Sequence, residues 1–239
     1  MKKIVLLFAA ILFVVGATMA QTENKSDVLI SGGSDGNEVI VKQQMTDDEL
    51  NESSVSIFDE SDDNGVFIDQ KGEDLESDVE ISYGSSVNGV FVEQRGEDQE
   101  SDVTITDGSL FNLVVVEQED EDNDSDVTIA DESWGNGVFV SQEGEDNDSD
   151  VLIYSDSDGN GVFVSQDGDN LDSDVEIGAD SDLNLVGIEQ DGENHESDVL
   201  IFGDSSFNAV GVSQQGDYST SDVEISFGSN GNTVDISQK

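Results

Sequence analysis

The chain has 239 residues, no cysteine and no proline, and its 57 acidic against 7 basic side chains give a formal net charge of -50. This sign argues against nucleic acid and anionic membrane surfaces as partners, since both are themselves negative. The absence of cysteine excludes disulfides and thiolate metal sites.

The first element has the pattern of a secretory signal peptide. Two lysines near the start precede the apolar run Ile4 to Val15, and small residues lead to Ala20. A positive start, a short apolar run and a small-residue cleavage site are the parts of such a signal. We expect residues 1–20 to be removed on export, residues 21–25 to form a short leader, and no membrane insertion after that.

From Ser26 onward the chain consists of nine copies of one unit. After a first step of 27 residues every step is 24, and the three extra residues lie between Gln43 and Ser53. The starting serines are Ser26, Ser53, Ser77, Ser101, Ser125, Ser149, Ser173, Ser197 and Ser221. A period this strict indicates a repeat architecture.

Two polar positions are the same in every unit: an asparagine eleven residues after the starting serine and a glutamine seventeen residues after it. The asparagines are Asn37, Asn64, Asn88, Asn112, Asn136, Asn160, Asn184, Asn208 and Asn232. The glutamines are Gln43, Gln70, Gln94, Gln118, Gln142, Gln166, Gln190, Gln214 and Gln238. Valine and isoleucine are equally regular at four further positions, which argues against disorder despite the high charge.

Within the unit that begins at Ser149, apolar and polar residues alternate over 149–153 and again over 160–166. Alternation with period two predicts two short strands. Residues 155–159 have the composition of a turn, and residues 167–172 that of a second, acidic turn. Each unit is therefore predicted to be strand, turn, strand, turn.

One unit cannot bury enough apolar surface to offset the entropy lost when it is ordered, so the units must stack. We predict an all-β fold, a parallel in-register β-solenoid of cross-β type over residues 26–239, with two strands per unit and a rise of ~43 Å. Each set of equivalent side chains then forms a row along the solenoid, here called a ladder. The ladder residues expected in the core include Ser77, Asn88, Gln94, Ser101, Asn112, Gln118, Ser125, Asn136, Gln142, Ser149, Asn160, Gln166, Ser173, Asn184, Gln190, Ser197, Asn208 and Gln214.

The first and last units keep the full pattern. Solenoids normally carry atypical end units that stop further stacking. Regular end units predict head-to-tail addition of subunits and an open fibre.

The unit from Ser77 to Gln94 resembles the repeat of the curlin family, the secreted bacterial subunits that polymerise into curli, the functional amyloid of biofilm matrices. Its serine, asparagine and final glutamine coincide with the spacing of that repeat, and the match recurs nine times over residues 26–239. The first glutamine of the family's repeat is absent, serine replaces its glycine, and valine replaces its alanine.

The resemblance implies a structural role: extracellular fibres at the cell surface that serve adhesion and the biofilm matrix. It implies that the chain's main partner is itself, together with a nucleator subunit and the curli export machinery. The leader that curlins use at their export pore is reduced here to residues 21–25.

In-register stacking also places acid beside acid, as in the ladder from Asp78 through Asp102 and Asp126 to Asp222. Like charges ~4.8 Å apart repel each other even in water. We expect no tightly bound cofactor, and two interpretations of the acids stay open. In the first interpretation, cations such as calcium, held loosely at turns such as 145–148, promote assembly. In the second, the acids form a solvated face that keeps the subunit soluble during export.

One segment resembles a calcium loop, with Asp156, Asp158, Asn160, Gly161 and Asp167 at EF-hand-like spacing. Other units lose its acidic positions, and the flanking patterns are strands. The alternative function is nevertheless a soluble, calcium-stabilised β-solenoid adhesin that folds on calcium addition and does not polymerise.

An apolar row is expected on the outside of the second strand, at Phe67, Phe91, Phe139 and Phe163. An exposed apolar row can pair fibres side by side or contact a surface. The alternative is simple contact between neighbours along the ladder.

We expect no enzymatic activity, because an active site needs one asymmetric group of residues and this chain repeats its groups. His195, the single histidine, stands in an acidic turn and is expected to be solvated. Trp134 falls in the short turn, at a position that unrelated residues fill in other units.

Overall fold

The computed structural model describes residues 24–45 and 51–239. The expected signal peptide lies outside the described residues, and so do residues 46–50 of the longer first connection. The described part is all β, with eighteen strands in two parallel nine-stranded sheets. Within it, no helix is long and apolar enough to cross a membrane.

The two sheets are formed by alternate strands of the chain. The odd sheet contains β1 (Lys25–Ile30), β3 (Glu52–Ile57), β5 (Glu76–Ile81), β7 (Glu100–Ile105), β9 (Asp124–Ile129), β11 (Asp148–Ile153), β13 (Asp172–Gly178), β15 (Glu196–Phe202) and β17 (Thr220–Ser226). The even sheet contains β2 (Glu38–Met45), β4 (Gly65–Glu73), β6 (Gly89–Glu97), β8 (Leu113–Glu121), β10 (Gly137–Glu145), β12 (Gly161–Asp169), β14 (Leu185–Glu193), β16 (Ala209–Asp217) and β18 (Thr233–Gln238).

The register between neighbouring turns follows the sequence repeat. Ser149 pairs with Ser173 in the odd sheet, and Gln142 pairs with Gln166 in the even sheet. Every strand is parallel to its neighbours. The prediction of a parallel in-register β-solenoid with two strands per turn is therefore confirmed.

Valine and isoleucine from both sheets fill the space between them. In β11 the burial alternates strictly along the strand, so that Val151 and Ile153 point inward while Asp150 and Leu152 face outward. From the even sheet, Val162 and Val164 are fully buried. Branched side chains suit this position because they pack well on a pleated surface.

The second turn is shorter than the sequence predicts. Strand β12 continues to Asp169 and β13 begins at Asp172, so residues 167–169, predicted to be part of the turn, are strand. The strand continues because Gly168 is paired on both sides, with Gly144 and Gly192. Stacking in register extends pairing into a segment whose composition alone is typical of a turn.

Candidate assembly ladders and surfaces

The asparagine ladder joins each turn to the next at the corner before the even strand. The backbone N–H of Asn160 donates to Oδ1 of Asn136 at 2.8 Å, and its side-chain Nδ2 donates to the same oxygen at 3.1 Å. In turn, Nδ2 of Asn136 donates to the carbonyl oxygen of Ser157 at 2.9 Å. Each buried amide therefore satisfies backbone groups of a corner that has no regular strand pairing.

The glutamine ladder lies at the opposite side of the core. Nε2 of Gln142 donates to Oε1 of Gln166 at 3.0 Å. It also contacts the carbonyl oxygens of Asp124 at 2.7 Å and Asn147 at 3.1 Å, so its two hydrogens are shared among three acceptors. The same three contacts recur at Gln70, Gln94, Gln118 and Gln166.

The serines that begin each unit stack in register and are buried, but most of their hydroxyls do not bond along the ladder. Among the described residues, the hydroxyls of Ser77, Ser101, Ser125, Ser149 and Ser173 have no hydrogen-bond partner. Only Ser197 and Ser221 are in contact, at 3.1 Å. The contact of Ser197 with Ser221, and that of Ser82 with Thr106 at 3.0 Å, show that hydroxyls of adjacent turns can reach each other, so the distance between turns does not by itself explain the unpaired hydroxyls.

A second serine ladder contributes more hydrogen bonds than the first. The backbone N–H of Ser181 donates to Oγ of Ser157 at 3.2 Å, and the N–H of Ser157 donates to Oγ of Ser133 at 3.3 Å. These serines stand eight residues after each starting serine. The regularity of this position is visible in the sequence, but its corner geometry is not.

Sequence reasoning missed one buried position altogether, two residues before each starting serine. It holds Asn51, Leu75, Gln99, Asn123, Asn147, Leu171 and His195, all buried. No single residue type fills it in every unit, so a search for fixed residues does not find it. The available signal was the absence of acidic residues at this one place in an otherwise acidic turn.

The expectation that His195 is solvated is wrong, because only 1% of this residue is exposed. Its Nδ1 accepts the backbone N–H of Ser219 at 3.1 Å, and Nε2 lies 3.3 Å from the carbonyl oxygen of Asp191. His195 belongs to the missed inward position, which is why the acidity of the neighbouring residues does not predict its environment.

The predicted phenylalanine row lies on the outer face of the even sheet. The ring centroids of Phe67 and Phe91 are 6.1 Å apart, and those of Phe139 and Phe163 are 6.4 Å apart. Phe91 and Phe163 are about half exposed. The rings therefore contact their ladder neighbours and also present apolar surface to solvent.

The outer face of the odd sheet is strongly acidic. Burial, followed by repulsion from carboxylates in neighbouring turns, raises the pKa of Asp102, Asp124 and Asp174 to about 6. The same two causes raise the pKa of Asp126. These carboxylates lie in rows with no basic side chain beside them in the central turns.

The segment resembling a calcium loop is built into the solenoid. Asn160 and Gly161 belong to the asparagine corner and the start of β12, and Oδ1 of Asn160 already accepts two hydrogen bonds from Asn184. Across residues 24–45 and 51–239, no group of three or more His, Asp or Glu side chains is arranged to hold a metal ion.

A scan against models of known protein families gives no match for this chain, and no curated protein matches it.

Proposed function

We propose that this chain is a secreted structural subunit that assembles head to tail into curli-like extracellular amyloid fibres, which serve cell adhesion and the biofilm matrix. The observation that carries the proposal is the directional hydrogen bonding of the ladders. Every internal glutamine donates to the next turn and accepts from the turn before, as Gln142 does with Gln166 and Gln118.

The two ends of the described solenoid are complementary in these bonds. Gln43 lies in the first described turn, so no described turn precedes it to donate to its Oε1. At the other end, Nε2 of Gln238 donates only to the carbonyl oxygen of Thr220. Likewise, no described turn follows Asn232 to donate to its Oδ1. No described turn precedes Asn37 to accept its backbone N–H.

The apolar core is also incompletely covered at both ends of the described residues. Val28 and Ile30 in β1, and Val234 and Ile236 in β18, are only partly buried, whereas their counterparts in internal strands are fully buried. Adding another turn in register would remove this apolar surface from water and pair the free strand edges. A second copy of the chain offers a surface of the matching shape and register.

The further partners belong to the proposal through the curlin resemblance. A nucleator subunit would present the first matching edge, and the curli export machinery would deliver the chain to the cell surface. The ladder pattern of the first unit is the same as that of the last, so the last described turn of one copy matches the first described turn of another.

The proposal is tested by incubating the purified chain without residues 1–20 over a range of concentration, sodium chloride and calcium. Electron microscopy and fibre diffraction follow the product. We expect unbranched fibres with a ~4.8 Å meridional reflection, and preformed fibres should remove the lag phase. A chain that folds on calcium addition and remains monomeric would favour the soluble adhesin instead.

A further inference from the structure

An uncharged surface runs along the even sheet from β4 to β16. It consists of the first and third residues of each even strand in this range, from Gly65 and Phe67 in β4 to Ala209 and Gly211 in β16. We call this surface the uncharged stripe. None of its residues is charged, although the whole chain carries 57 acidic side chains.

The stripe continues onto the adjoining corner, at the residue two places before each even strand. From β6 to β16 this corner holds Val87, Phe111, Gly135, Gly159, Leu183 and Phe207. The four larger side chains are each between 43% and 66% exposed. Phe111 also contacts Trp134 edge to face, with ring centroids 5.7 Å apart.

The corner residues occupy a backbone conformation that their side chains disfavour. Val87 has a φ of 60° and Leu183 a φ of 55°, in the left-handed region where glycine stands in other turns, such as Gly135 at 71°. A branched residue in this region is strained, because its Cβ lies too close to the following carbonyl oxygen. Because these side chains are exposed, burial within the chain does not offset the strain, which points to a role on the surface.

The stripe contains large and small residues that fit together. A Cβ on Gly89 would lie 3.2 Å from Leu113, and a Cβ on Gly161 would lie 3.1 Å from Leu185. The leucines therefore lean over glycines of the preceding turn. The resulting surface alternates between raised leucine and phenylalanine side chains and open glycine positions such as Gly137 and Gly187, which have no neighbour within 4 Å of a built Cβ.

We propose that the uncharged stripe binds the same stripe of a second copy of this chain, with the two solenoids side by side and antiparallel. In this arrangement β8 of one copy faces β10 of the other, β6 faces β12, and β4 faces β14. Leu113 then lies opposite Gly137, and Leu185 lies opposite Gly65. At the corner, Phe111 faces Gly135.

Charged rows beside the stripe also face one another in this arrangement. The basic side chains on the even sheet stand in its first turns, and Lys71 and Arg95 border the stripe. The later turns carry acids in the same place, among them Asp167 and Asp191. The antiparallel arrangement sets Arg95 opposite Asp167 and Lys71 opposite Asp191. It also sets Glu119 opposite Glu143 and Asp69 opposite Glu189, so the opposite-charge pairs offset the like-charge pairs on this face. It also turns both acidic odd sheets to the outside, which keeps the like-charged faces of the two copies apart.

The available area is sufficient for a stable contact. From the corner to the seventh residue of each even strand the face is ~26 Å wide, and seven strands span ~30 Å, given the usual strand rise and spacing. This footprint of ~800 Å² per copy, of which the uncharged stripe and its corner make up about half, equals that of a standard protein interface. The contact requires no end-to-end growth, so it goes beyond the proposed head-to-tail assembly.

The arrangement is tested with two single-cysteine variants, which is practical because the chain has no cysteine of its own. Glu93→Cys and Ser165→Cys place one thiol each on the fifth residue of β6 and of β12, beside the stripe. The variants are purified separately, mixed and treated with a short bismaleimide. We expect the mixture to give at least tenfold more cross-linked dimer than either variant alone.

A second set of variants tests the stripe itself within the same cross-linking pair. Replacing Phe67, Phe91, Phe139 and Phe163 by serine should reduce the cross-link at least tenfold, while Leu152→Ser on the odd sheet should leave it unchanged. Circular dichroism checks that each variant keeps its β structure. If the phenylalanine variant does not fold, the cross-linking yield of the Glu93→Cys and Ser165→Cys pair without the serine substitutions decides whether the proposal holds.

Cross-linking of Glu93→Cys with itself would indicate parallel solenoids and overturn the proposal, as would equal yields from all combinations. Absence of any cross-link would overturn the lateral contact. Either result leaves head-to-tail assembly intact, because fibre growth is scored separately by electron microscopy.

Discussion

Nε2 of Gln142 donates to Oε1 of Gln166 across 3.0 Å, one full turn further along the solenoid. The same nitrogen contacts the carbonyl oxygens of Asp124 and Asn147, so one side chain connects a core amide to the backbone of two successive acidic turns. A buried amide with this many partners stabilises the fold because its removal takes a donor from each of them, although the carbonyl oxygen of Asn147 also accepts the backbone N–H of Asp124.

Replacing Gln142 by leucine should therefore lower the free energy of unfolding by about 2–4 kcal/mol, since at least two buried carbonyl groups lose a donor. Ser141→Leu, at the outward-facing neighbour in β10, is the matched control and should change it by less than about 0.5 kcal/mol. Urea unfolding followed by circular dichroism measures both. Equal effects for the two variants would show that the ladder contributes no specific stability.

The repeat made most of this fold predictable, because Val151, Ile153 and Asn160 are fixed in type and alternate in direction. Three features were not predictable, and each depends on the stacked neighbour. His195 is buried because it stands at an inward position that has no fixed residue type. The hydroxyl of Ser149 has no partner, although the serines at the same position in the last two turns, Ser197 and Ser221, are in contact. Val87 adopts a left-handed conformation because the corner requires it in every turn.

The glycines near the end of each even strand provide a second test. Gly144 has a φ of 120°, and a Cβ built on it would collide with the carbonyl oxygen of Gly168 in the next turn. Asp120 occupies the equivalent position with its φ shifted to 85°, so a side chain there requires a changed backbone. We expect Gly144→Ala to destabilise the chain by about 1–3 kcal/mol.

Gly137→Ala is the control for this substitution. Gly137 begins the same strand, and a Cβ built on it meets nothing within 4 Å. The thermal midpoint of the Gly137→Ala variant should equal that of the parent chain within error or rise slightly, because alanine reduces the entropy of the unfolded chain. A Gly144→Ala protein as stable as Gly137→Ala would contradict the tight approach of successive turns.

The buried histidine gives a third prediction. Asn147, at the equivalent position two turns earlier, accepts the backbone N–H of Leu171 through Oδ1 at 3.1 Å, just as His195 accepts that of Ser219. His195→Asn should therefore be nearly neutral, whereas His195→Ala should lower the free energy of unfolding by about 2–3 kcal/mol through a cavity and an unsatisfied N–H. Equal losses in the two variants would show that the acceptor is unimportant.

The acidic face predicts how stability depends on pH. Burial and neighbouring carboxylates raise the pKa of Asp102, Asp124 and Asp174 from the usual 3.8 to about 6. Because the folded state binds these protons more tightly than the unfolded chain, stability is greatest below the unfolded pKa and is lost as pH rises through about 6. The thermal midpoint should be higher near pH 5 than near pH 7.5.

The control for this prediction removes carboxylates from one row. A variant with Asp102→Asn and Asp126→Asn should show a smaller change of thermal midpoint between the two pH values, and a higher midpoint at the upper one. Added sodium chloride should likewise reduce the pH dependence, because it screens repulsion between exposed charges. A midpoint that falls on acidification from 7.5 to 5 in the parent chain would refute this account of the acidic face.

The central claim is that copies of the solenoid continue one another's ladders end to end. Mass per unit length, measured on single fibres by scanning transmission electron microscopy, tests it most directly. Nine turns per chain predict one chain in every ~43 Å of fibre, or two where columns are paired side by side. A value near one chain in every ~4.8 Å, as in fibrils where each chain adds a single layer, would contradict the claim, and so would a chain that stays monomeric under every condition.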